Sequence, residues 1–98
     1  MTRILIVEDD AAICRGLADN LEADSYEVLT ARDGEAGYRT VLEQQPDLVL
    51  LDLMVPKMGG YEVCRKLRAD GITTPILMLT ARGEEADRVL GLEPRMAS

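Results

Sequence analysis

The sequence contains no histidine. That absence excludes a histidine-based catalytic triad and a histidine-ligated zinc site. Cysteine is scarce too. Cys14 and Cys64 are isolated thiols rather than a disulfide framework, which fits a reducing, cytoplasmic setting. Basic residues are few: 11 Lys and Arg stand against 18 Asp and Glu, for a net charge of −7. Phosphate contacts need clustered Lys and Arg, so the charge balance argues against nucleic acid as a direct partner. A cation or a basic protein surface remains compatible. No apolar run approaches the roughly 20 residues that cross a bilayer, so no membrane partner is expected. Met1-Thr2-Arg3 lacks the layout of a signal peptide. The 98 residues hold one domain at most.

Several short apolar runs are present. Ile4-Leu5-Ile6-Val7 stops at Glu8-Asp9-Asp10 and reads as a buried strand. One of these acids is placed to cap the helix that follows. Over residues 11–23, Ile13, Leu17 and Leu21 recur every four residues, flanked by Cys14 and Ala18, which predicts an amphipathic helix. Cys14 is read as a small buried hydrophobe. Residues 26–30 form a more polar strand, expected at an edge. Asp33-Gly34 opens a second helix, which Pro46 closes. Leu48-Val49-Leu50-Leu51 is apolar throughout, as in a strand buried on both faces, and it ends at Asp52. Gly59-Gly60 leads into a third helix with Val63, Cys64 and Leu67 on one side, stopping near Asp70-Gly71. Tyr61 on this helix is read as packing. Residues 75–80 make a fourth apolar strand, and residues 83–92 a last helix carrying Ala86, Val89 and Leu90. Alternating strands and helices specify an α/β fold, a doubly wound parallel sheet with right-handed crossovers.

Strand ends carry the chemistry. Asp52 taken alone is either a turn-capping carboxylate or a functional one. In a sheet of order 2-1-3-4 the first and third strands are neighbours, so Glu8, Asp9 and Asp52 converge. Three crowded carboxylates call for a cation, and oxygen-only ligands suit Mg²⁺. A carboxylate beside Mg²⁺ can act as a nucleophile toward a phosphoryl group, with a hydroxyl such as that of Thr80 holding an incoming oxygen.

Three motifs make the reading more specific. They are Ile4-Leu5-Ile6-Val7-Glu8-Asp9-Asp10, Pro46-Asp47-Leu48-Val49-Leu50-Leu51-Asp52-Leu53-Met54-Val55-Pro56-Lys57-Met58-Gly59-Gly60, and Pro75-Ile76-Leu77-Met78-Leu79-Thr80-Ala81-Arg82. In this order and spacing they resemble the receiver domain of bacterial two-component response regulators, of the subfamily with winged-helix DNA-binding domains. The resemblance covers residues 2–93, places an incomplete receiver domain at 1–93 and implies a flavodoxin-like fold. It implies that Asp52 accepts a phosphoryl group from a histidine kinase. Glu8, Asp9 and Asp52, with the backbone carbonyl of Met54, would hold Mg²⁺, and Thr80 would be the switch hydroxyl. Lys57 and Arg82 are lesser candidates for a phosphate contact, with a solvated loop role as the alternative for Lys57. Such a domain is not an enzyme in the usual sense; at most it catalyses its own phosphorylation and dephosphorylation.

The chain also departs from the family pattern. No residue matches the lysine that closes the family's fifth strand, and the fifth strand and fifth helix are expected to be missing. Residues 94–98 look foreign to the pattern, and no DNA-binding domain is present in the sequence. The first helix would then cover one sheet face nearly alone, and the fourth strand would be an exposed apolar edge. A homodimer or domain-exchanged oligomer is therefore expected rather than a stable compact monomer. A competing reading is a truncated receiver-like module that does not switch and acts by self-association or protein interaction. An aspartyl phosphatase ranks last, because it needs a second Asp two residues beyond the nucleophile, where Met54 stands.

Overall fold

The computed structural model describes residues 1–79 and the strand pair at 89–90. Its elements run β1 (Arg3–Val7), α1 (Ala11–Ala23), β2 (Glu27–Ala31), α2 (Gly34–Gln44), β3 (Leu48–Asp52), α3 (Gly60–Ala69), β4 (Ile76–Leu79) and β5 (Val89–Leu90). The sheet order is β2-β1-β3-β4-β5. The first four strands are parallel, in the 2-1-3-4 order expected, and β2 lies at an edge.

Two expectations need correction. Val89 and Leu90 do not belong to a helix: they pair antiparallel with β4, Leu90 opposite Met78 and Val89 opposite Leu79. The remainder of the expected last helix, the 94–98 tail, Thr80 and Arg82 lie outside the described residues. The second correction follows from the first. β4 is not a bare edge, because part of its outer ladder is taken up by β5. The β-branched Val89, poor in helices and good on a pleated surface, is consistent with that outcome.

The sheet separates two apolar layers. On one face α2 and α3 enclose Leu5, Val7, Val41, Val49, Leu51, Val63, Leu67, Ile76 and Met78, all buried. On the other, α1 covers Ile4, Ile6 and Leu50 with Cys14, while Leu17, Leu21, Leu48, Leu77 and Leu79 stay half-buried. Pleating explains the split along β4, where Ile76 and Met78 point to the first layer and Leu77 and Leu79 to the second. Within α1 the buried stripe is centred on Cys14, and Ile13 is exposed. The four-residue spacing gave the helix and its inward face: Leu17, Ala18 and Leu21 pack with Cys14, and Ile13, at the margin of the stripe, turns outward. Tyr61 is likewise exposed rather than packed.

Local chemistry sets the helix starts. Asp10 caps α1 by accepting from the Ala12 and Ile13 amides. Asp33 caps α2 through the Ala36 amide. α3 stops at Asp70, and Gly71 follows in a left-handed conformation, φ +82°.

Candidate phosphoacceptor site

The site is built where β1 and β3 end side by side. Val7 pairs with Leu51, so the next residues, Glu8 and Asp52, emerge together at the carboxyl edge of the sheet. The crevice beyond that edge is where an open α/β sheet receives ligands. Glu8, Asp9 and Asp52 each present a carboxylate oxygen, and these oxygens lie within 4.8 Å of one another. Glu8 and Asp52 are buried and Asp9 is exposed, so the cluster has a dry floor and a wet mouth.

Hydrogen bonds hold the two buried carboxylates. Asp52 Oδ1 accepts from the Met54 amide at 3.1 Å, and Glu8 Oε2 accepts from the Asp10 amide at 3.0 Å. The Asp52 side chain thus does what the turn-capping alternative required and also faces the acidic cluster. Burial pushes the Glu8 carboxyl up to about 7, against the Asp10 amide, which lowers it. The nearby charges of Asp52 and Asp9 and a hydrogen bond with Asp52 add to the rise. The oxygen-only donor set matches the preference of hard divalent ions.

Other candidates fall around this centre. Met54 is 61% exposed, on the loop just past Asp52. Leu79, the residue before Thr80, is paired with Asp52 across the β3–β4 ladder. Lys57 faces Asp33, with its Nζ 4.0 Å from Asp33 Oδ2 and its side chain 65% exposed. Sequence reasoning passed over the Asp33-Gly34 corner, read only as a helix start. In the structure the Gly34 amide donates to the Pro56 carbonyl at 3.0 Å, so α2 touches the loop that follows Asp52. An Asp-Gly pair signals a turn but not what lies across from it.

Residues 4–98 match the response regulator receiver domain family. The chain belongs to that family.

The receiver domain is 50% identical over 91 residues to the alkaline phosphatase synthesis transcriptional regulatory protein PhoP of Bacillus subtilis, covering 93% of this chain and 38% of PhoP. It is 46% identical over 95 residues to the DNA-binding dual master transcriptional regulator RpaA of Synechocystis, covering 95% of this chain and 39% of RpaA. The chain therefore spans well under half the length of these curated relatives. Among solved structures, the receiver domain of a Francisella response regulator superposes with a TM-score of 0.80 at 25% identity, covering 83% of this chain and 67% of that one. The response regulator TrrA of Thermotoga maritima, in complex with Mg(2+)-BeF, gives 0.79 at 35% identity, covering 85% and 72%. The receiver domain is thus a response-regulator module of two-component systems, and its acidic cluster occupies the carboxyl edge of the sheet. Among the described residues no helix is long and apolar enough to cross a membrane.

Proposed function

We propose that Asp52 is the phosphoacceptor of this receiver domain and that Mg²⁺ assists the transfer. The observation that carries the reading is the convergence of Glu8, Asp9 and Asp52 oxygens within 4.8 Å at adjoining strand ends. A solved relative 35% identical to this chain is a complex with Mg(2+)-BeF, which supports the choice of ion. Glu8, Asp9 and Asp52 would hold the ion with the Met54 backbone carbonyl. When bound, Mg²⁺ neutralises negative charge on the incoming phosphoryl oxygens.

The chain's own residues do the rest. The Met54 amide fixes Asp52 through Oδ1, which leaves Oδ2 as the attacking atom. Oδ2 forms the new P–O bond as the P–N bond of a kinase phosphohistidine breaks, and the departing imidazole takes up a proton. Asp52 itself is buried, which limits the water around its carboxyl carbon. Thr80 is proposed to donate its hydroxyl to a phosphoryl oxygen, and Arg82 and Lys57 are secondary candidates for phosphate contact. The partner is a histidine kinase, and self-hydrolysis of the acyl phosphate resets the site. A cytoplasmic setting fits two unpaired thiols. The half-buried Leu48, Leu77 and Leu79 favour a homodimer through the α1 side of the sheet.

The test uses acetyl phosphate as donor and intact-protein mass spectrometry as readout. One phosphoryl group is expected on the wild-type chain with Mg²⁺, and none with EDTA or in Asp52→Asn. Labelling that persists in Asp52→Asn, or that ignores Mg²⁺, would refute the assignment.

A further inference from the structure

The first turn of α2 lies against the loop that leaves Asp52, and the approach leaves no room for a side chain. A Cβ on Gly34 would overlap the Met58 carbonyl oxygen and lie 2.6 Å from its carbon and 2.9 Å from Met58 Cβ. Gly34 is not in the left-handed region, so space rather than backbone conformation demands glycine here. The Gly34 amide donates to the Pro56 carbonyl at 3.0 Å, and the Met58 amide donates to the same oxygen at 2.8 Å. Lys57, at φ +72°, sets its ammonium 4.0 Å from Asp33, spanning the same two elements.

Neither side can yield easily. α2 is pressed on β1 at Gly37, where a Cβ would sit 2.8 Å from Val7 Cγ2. The loop is tied at both ends: Asp52 belongs to the sheet, and the Gly60 amide donates to the Leu53 carbonyl at 3.3 Å. The clash at Gly34 is with backbone, which no rotamer change relieves. Displacement must then pass into residues 54–58, which include Met54.

We propose that Gly34 is a positioning residue for the acidic site: the bare first turn of α2 braces residues 54–58, and so holds Met54 and the Asp52 carboxylate in the arrangement that receives the divalent cation. The proposal rests on the reading of that site as an Mg²⁺ site. Bracing shells of this kind tune the affinity of ligands that they do not replace.

The experiment is calorimetric titration of the full chain with MgCl₂, beside thermal unfolding in EDTA. Gly34→Ala is expected to weaken Mg²⁺ binding about tenfold. Gly37→Ala, on the same helix but away from the loop, lowers the unfolding temperature and leaves the Mg²⁺ affinity at the wild-type value. Asp33→Ala adds no bulk, frays the first turn of α2, and is expected to weaken Mg²⁺ binding by a smaller factor. It decides the matter should Gly34→Ala not fold. Wild-type affinity in the folded variants, or a loss in Gly37→Ala as large as in Gly34→Ala, would overturn the positioning role while leaving the Mg²⁺ site intact. A wild-type chain that takes up no Mg²⁺ would overturn both.

Discussion

Glu8 is the residue at which burial and charge oppose each other most directly. Its carboxyl is raised from 4.5 to about 7 in the folded chain, chiefly by burial. Between those values the folded state holds a proton that the unfolded state has released. Stability of the metal-free chain is therefore expected to be fully present below about pH 4.5 as far as Glu8 is concerned, and to fall as pH rises toward 7. Urea titrations in EDTA across that window check the slope, which Glu8→Gln should flatten. The two thiols offer a second contrast. Burial pushes the Cys14 thiol up, and Cys14 is 6% exposed, whereas Cys64 is half-buried on α3. Alkylation of the native chain is expected to modify Cys64 well before Cys14, and equal rates would contradict the α1 packing. The inward placement of Cys14 was legible in the sequence; the elevated Glu8 carboxyl was not, because it depends chiefly on burial at the folded sheet edge, with Asp52, far away in the chain, adding to it.

Helix ends and strand faces carry the next set of consequences. Asp10 Oδ1 accepts from two amides at 2.9 and 3.1 Å, so Asp10→Ala is expected to cost about 1 kcal/mol. Leu67 is fully buried between α3 and the sheet. Leu67→Ala should cost roughly 2–5 kcal/mol, and Leu77→Ala, on the half-covered face, clearly less. Chemical denaturation of the three variants orders these terms, and equal losses at 67 and 77 would mean that both faces are covered alike. The elements themselves were readable because apolar runs and stop signals are local. α1 was anticipated over its observed span, and Asp33 and Gly71 sit at the helix ends where their types predict. Val89 and Leu90 failed as a helix because two apolar residues carry little periodic signal, and pairing with Met78 and Leu79 decides their state.

At the scale of the whole molecule, the two faces of the sheet are unequally covered among the described residues. α2 and α3 bury one layer, while among the described residues α1 covers the other and leaves Leu48, Leu77 and Leu79 half-buried. Light scattering at rising concentration is expected to show a shift toward dimer, reduced by Leu77→Asp. A monomer throughout would show that the apolar strip needs no partner. On the proposed assignment Mg²⁺ binds the folded acidic cluster and not the unfolded chain, so saturating Mg²⁺ is expected to raise the unfolding temperature of wild type but not of Asp52→Ala.

Residue order alone carried the alternation of strands and helices, the parallel sheet, and the convergence of Glu8, Asp9 and Asp52 at adjoining strand ends. Each of those signals is written in neighbours along the chain: an apolar run, the acid that ends it, the glycine or proline that follows. Packing between distant segments settled the rest. It buried Glu8 beside Asp52, turned Ile13 outward, paired β5 with β4, and set the α2 corner against the Pro56 carbonyl. These are contacts between residues remote in sequence, so no local pattern records them until the sheet brings their ends together.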